Sequence, residues 1–224
     1  YNTALGYSAL SAVSGNGATA IGYQAALVNT ANYTVSIGYQ SGKANTSGDS
    51  NTFVGTWAGL SNTTADNNTA VGYGAVYTNT TGTGLSGFGH WALYSNTTGG
   101  YNTGIGRYAL RSNTTGSDNT ALGEEALVAN TTASDNTAVG YQSLKANTTG
   151  ASLTALGHRS LYENTTGANN VAAGKDSLRN NTSGDNNIAV GRDALRANTT
   201  ASNNTAVGYQ AGYTNTTGAE NVAI

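Results

Sequence analysis

The chain has no cysteine, no methionine and no proline in 224 residues. Without cysteine there can be no disulfide framework, thiol nucleophile or thiolate-bound metal. A chain lacking both Cys and Met also suits an exposed setting where oxidants act. Without proline, no residue withholds a backbone donor from a hydrogen-bonded ladder. Charge is sparse too. Nine Lys and Arg stand against eleven Asp and Glu, for a net charge of −2. That balance excludes the strongly basic footprint of nucleic-acid binding, so no nucleic-acid partner is expected. No apolar run approaches the roughly 20 residues of a membrane helix, and no membrane insertion is expected of this segment.

What the sequence has instead is glycine, 31 residues of it, together with much Asn and Thr. One glycine recurs from Gly6 and Gly22 through Gly140 to Gly208, first at steps of 16 residues (22 − 6 and 38 − 22), then at steps of 17. A fixed period held over thirteen copies signals stacked supersecondary units rather than one globular core. The expectation is a single repeat array over residues 1–224, about thirteen coils. The next glycine would fall at position 225 (208 + 17), so a piece of a longer fibre protein is expected.

Counting from the repeat glycine, the preceding residue is apolar throughout, as in Leu5, Val71, Val139 and Val207. Two before it the residue is small, as in Ala70 and Ala138, with Phe53 the bulky exception. Three before it is usually Thr, as in Thr69 and Thr137. Asn-Thr-Ala-Val closed by glycine has strand composition, and a helical apolar period is missing. After the glycine come two variable residues, then Ala or Ser, then a large apolar one such as Leu93 or Leu144, with glycine at Gly42, Gly59 and Gly212. This reads as a second strand. Asn-Thr-Thr-Gly, as at Asn147–Gly150, then makes a corner from residues that tolerate left-handed dihedrals. The coils of 16 residues are expected to lack their missing residue at that corner, where Asn29-Thr30-Ala31-Asn32 is irregular.

The fold class expected is all-β, a parallel β-solenoid (β-roll) with 16–17-residue coils. In strands, neighbours point to opposite faces, so Ala138 and Val139 diverge, as do Ser143 and Leu144. A single tube shelters only one of those faces. An intertwined or side-by-side homotrimer is therefore expected.

The pattern Asn-x-Ala-Val-Gly-x-x-Ala, as in Asn119–Ala126, resembles the head repeat of trimeric autotransporter adhesins. Its extension through Leu-x-x-Asn-Thr-Thr-Gly resembles head-like repeats of phage and bacterial tail-fibre proteins. The likeness covers the whole chain, although adhesin heads usually have a shorter coil. It implies three chains wound side by side and an extracellular place, on a cell surface or virion fibre. It further implies binding to a host-surface glycan or protein at many repeats.

Function is sought at the two variable positions after each glycine. Trp57 and Trp91 break a column otherwise rich in Tyr and Gln, and are the leading ligand-binding candidates. His90, Tyr108, Tyr141, Gln142, Tyr209 and Gln210 complete the candidate set, since rings stack on sugars and amides bond their hydroxyls. The plain alternative has each Tyr packing over the next coil's glycine. Arg159 and Asp176, in neighbouring coils, are expected to pair. His90 and His158 stand four coils apart (158 − 90 = 68 = 4 × 17), too far to share a metal, and no metal or other cofactor is expected. No catalytic constellation emerges, so a non-enzyme is expected. Two alternatives remain, a purely structural spacer and an ice-binding solenoid using the Thr137 column or the Thr148 and Thr149 rows.

Overall fold

The structure, a computed structural model, describes residues 1–12 and 15–224. Its contacts group into two units, Tyr1–Thr115 and Gly116–Ile224. The first carries seven strands: β1 (Thr3–Leu5), β2 (Thr19–Ile21), β3 (Val35–Ile37), β4 (Thr52–Val54), β5 (Thr69–Val71), β6 (Ser86–Phe88) and β7 (Thr103–Ile105). The second carries β8 (Thr120–Leu122), β9 (Thr137–Val139), β10 (Thr154–Leu156), β11 (Val171–Ala173), β12 (Ile188–Val190), β13 (Thr205–Val207) and β14 (Val222–Ala223). In both units each strand pairs in parallel with the next, and like lies over like: Thr52 on Thr69 and Val54 on Val71, and Thr137 on Thr154, Ala138 on Ala155, Val139 on Leu156. This is an all-β parallel solenoid of regular coils, as the period requires.

The expected second strand does not form. Residues after the glycine are turn, and two of them in each coil, such as Gln142 (φ 56°) and Leu144 (φ 53°), are left-handed. The inter-coil ladder nonetheless continues there, Leu144 N–H donating to Ser160 O at 3.0 Å and Ala146 N–H to Tyr162 O at 3.1 Å. Left-handed residues break the strict alternation of a strand, so Ser143 and Leu144 both end up inside, fully buried. Glu124 and Glu125 likewise lie on a turn rather than a strand.

The asparagine corner is also corrected. Asn147 and its equivalents from Asn29 to Asn198 do not have positive φ; they point into the coil and are buried. Asn147 donates one amide proton to Asn130 Oδ1 of the preceding coil (3.1 Å) and the other to Gly150 O three residues on (2.9 Å). Asn164 in turn donates to Asn147 Oδ1 (3.0 Å), so the buried amides form a ladder, which ends at Asn198, whose Oδ1 has no partner. In the 16-residue coil Asn29 bonds Ala31 O, only two residues on, which puts the missing residue at that corner as expected. A second interior row runs Asn119, Asn136, Asn170, Asn187 and Asn204, interrupted by Leu153. Asn136 Oδ1 receives the Leu153 backbone N–H at 3.0 Å. The core is completed by the Ala138 and Leu144 columns.

The glycine column has a steric cause. Gly140 has φ 128°, and a Cβ there would lie 2.6 Å from the Gly157 carbonyl oxygen of the next coil. No side chain fits between backbones that close. Rings of the Tyr column stack on one another from coil to coil, Tyr7 on Tyr23 and Tyr23 on Tyr39, with centroids 5.5 and 5.2 Å apart.

Candidate functional site

Two surfaces stand out. The first is the outward side of the three-residue strands. From β2 to β13 the central residue points in and is buried, so the flanking Thr and aliphatic columns face out. Phe88 and Ile105 in the first unit are exposed, as are Leu122, Leu156, Val190 and Val207 in the second, each at about 40%. Ile188 and Val222 extend the apolar character into the Thr column. Each unit thus carries a continuous Thr-and-aliphatic stripe.

The second surface follows the glycine. In the first unit the turn holds rings at the first, second and fifth positions after it. Trp57 donates its indole N–H to Gln40 Oε1 (3.2 Å) and meets Tyr73 at 5.3 Å and Tyr77 at 6.2 Å. Tyr73 stacks on His90 at 5.4 Å, and His90 on Trp91 at 5.0 Å. Trp91 reaches Tyr94 at 5.2 Å and Tyr108 at 5.8 Å. Arg111 lies over both Trp91 (4.9 Å) and Tyr108 (5.3 Å). Four expected residues, Trp57, His90, Trp91 and Tyr108, therefore belong to one aromatic cluster. Its fifth-position members, Tyr77, Tyr94 and Arg111, were missed by sequence reasoning. Their spacing of 17 (94 − 77 and 111 − 94) is the available signal, but the fifth position falls between the expected strand and the corner and varies widely from coil to coil.

Next to this cluster the fifth position holds Leu27, Lys43 and Leu60 in place of rings, and a groove of about 410 Å³ opens, lined also by Val28, Gln40, Ala44 and Ser61. Nothing in the column pattern foretells it.

The other candidates lie in the second unit. Tyr141 stacks on His158 at 5.4 Å, and Gln142 donates to Glu125 Oε2 at 2.8 Å. Tyr209 lies beneath Arg192 at 5.9 Å, and the Gln210 backbone N–H donates to Arg192 O. The two pairs stand four coils apart (209 − 141 = 68 = 4 × 17), so they do not share a site. Arg159 pairs with Asp176 at 3.0 Å, as expected from their register. Lys145 pairs with Glu125 at 2.9 Å, and that bond raises the Lys145 pKa above its ordinary value.

The Thr148 row offers little to a lattice outside. Its hydroxyl donates to Thr165 O at 3.0 Å, and the same bond repeats from Thr165 to Thr182. Among the described residues no group of three His, Cys, Asp or Glu is placed to hold a metal ion. Nor, among the described residues, is any helix long and apolar enough to cross a membrane. No family model, curated protein or solved structure matches the chain.

Proposed function

We propose that this chain is a structural segment of a surface fibre, on a cell or a virion, that associates with copies of itself through its strand stripe. One observation carries the reading. Large apolar residues repeat on the outward side of most strands and stay partly or fully open to water, although the coil interior is already full. A row of half-exposed Leu, Val, Ile and Phe of unequal shapes fits a packed protein interface, since stripes of this kind mark association sites. A lattice-matching surface would need uniform side chains. The resemblance to adhesin heads implies three chains. The aromatic cluster around Trp57, Tyr73 and Trp91 is the surface offered to a host glycan or protein. Many weak copies would suffice in a fibre.

Sedimentation of the intact chain tests the self-association. The expected mass is three times 22.5 kDa. The combined substitution Val71→Asp, Val139→Asp and Leu156→Asp should release folded monomer, with an unchanged circular dichroism spectrum. A stable monomer of the unsubstituted chain would sink the proposal. Glycan-array binding lost on Trp57→Ala or Trp91→Ala would support the adhesive part; binding to nothing would leave the spacer role alone. Measurable thermal hysteresis would instead favour ice binding.

A further inference from the structure

We infer that the basic face of the second unit is a binding site for a linear anionic polysaccharide, one bearing carboxylate or sulfate along its length. It is built by three successive coils. Arg159 and Arg179 both pair with Asp176 (3.0 and 3.4 Å), and Arg192 and Arg196 both pair with Asp193 (3.1 and 3.6 Å). Exposure divides these partners unequally. The Asp176 and Asp193 side chains are 7% and 9% exposed, whereas Arg192 is 60% and Arg196 34% exposed. The carboxylates lie beneath and the guanidiniums above, so a ligand arriving from solvent meets cations. Lys175 and Arg192 form the exposed outer row. With Glu163 the only further carboxylate on these turns, five cations (Arg159, Lys175, Arg179, Arg192, Arg196) face three anions, an excess of two. The Lys145–Glu125 pair on the same columns is balanced in charge and similarly exposed on both sides (33% and 25%), and makes no such face.

The cations are held in place before any ligand arrives. Arg179 lies over Tyr162 at 5.3 Å and Arg196 over Tyr213 at 5.8 Å, and Arg196 also donates to the Tyr213 hydroxyl at 2.8 Å. Fixed guanidiniums lose little entropy on binding and match carboxylate or sulfate oxygens in pairs. Coils spaced about 4.8 Å apart present them at a regular interval, which suits an extended chain with repeated charges. Tyrosine rings between them offer faces for sugars. Five cations on a chain of net negative charge are too few for nucleic acid, whose binders are basic as domains.

The inference deepens the surface-binding part of the proposed function and is independent of self-association. The test measures the intact chain against alginate, dextran sulfate, neutral dextran and double-stranded DNA. Alginate or dextran sulfate should bind, the better of the two identifying carboxylate or sulfate as the acidic group, and neutral dextran should not. Affinity should fall steeply between about 50 and 200 mM salt. Lys175→Ser with Arg192→Ser should weaken binding about tenfold or more, while Lys145→Ser leaves it unchanged. Salt-independent binding, or DNA preferred over both acidic polymers, overturns the inference, and the salt series needs no variant to fold. Acidic-polymer binding lost on Trp57→Ala and Trp91→Ala but kept by the Lys175/Arg192 variant also overturns it, yet leaves the proposed function standing.

Discussion

Phe53 shows how a residue that breaks its column is accommodated. It occupies an interior position where other coils have Ala, Ser or Gly, and it is completely buried. The room comes from two glycines at the Leu position: a Cβ on Gly42 would lie 2.7 Å from the Phe53 ring, and one on Gly59 would overlap it. Three apparent irregularities are thus one compensated packing unit. Phe53→Ala should cost about 3–5 kcal/mol through the cavity it leaves. Gly59→Leu alone should also destabilise, by overpacking. The backbone itself is no obstacle, because Leu adopts similar left-handed angles in other coils. The double variant Phe53→Ala/Gly59→Leu approaches the common repeat and should recover much of the loss. Urea denaturation of the four proteins would measure this; simple additivity would show the residues are uncoupled.

The buried asparagines give a second residue-scale prediction. Asn79 donates to Asn62 Oδ1 (3.0 Å) and to Gly82 O (2.9 Å), and accepts from Asn96 (3.0 Å). Asn79→Ala strands several buried partners, at about 1–3 kcal/mol for each unsatisfied group. Asn79→Leu fares no better, because the same partners stay unpaired. The exposed Thr81 of the same corner should tolerate Ala within about 0.5 kcal/mol. Equal effects at Asn79 and Thr81 would contradict the ladder.

At the scale of the element, one coil is a three-residue strand, a glycine bend and a long turn that keeps its hydrogen bonds without staying extended. The glycine is its least replaceable part. Gly140→Ala combines a disfavoured φ with a clash against the Gly157 carbonyl, and should destabilise by more than about 3 kcal/mol. A thermal melt within a degree or two of the parent would refute that steric account. The strand was legible because Asn-Thr-Ala-Val has strand composition and ends at glycine. The following turn was not, since Leu144 at φ 53° contradicts what a leucine ordinarily adopts. Burial of its side chain and a ladder bond on each coil hold it there, and neither is visible in a window of sequence.

For the whole molecule, nearest-neighbour stacking governs stability, since each coil touches only the ones beside it. Amide exchange should therefore be fastest at the end strands, β1 and β14, and slowest inside each unit, as at β4 and β10. β1 is exposed at all three residues, whereas β4 and β10 each bury their central one. Uniform protection across all strands would argue for one indivisible core instead. The association stripe belongs to this scale as well, because it exists only once strands are stacked in register.

The sequence by itself determined the coil: its period, its strand, its glycine and the in-register stacking, because identical residues repeated at a fixed interval leave little else to pair with. It also drew Trp57, His90, Trp91 and Tyr108 into one candidate set, although not as one cluster. Only the tertiary structure decided which side of the ribbon is interior. Left-handed turns bring Ser143 and Leu144 inside together, and buried amides replace the apolar packing that the corner lacks. That choice leaves the Val139 column outside and the arginines above their aspartates. The physical reason is that facing is set by backbone handedness and by hydrogen bonds between coils, which link residues 17 apart.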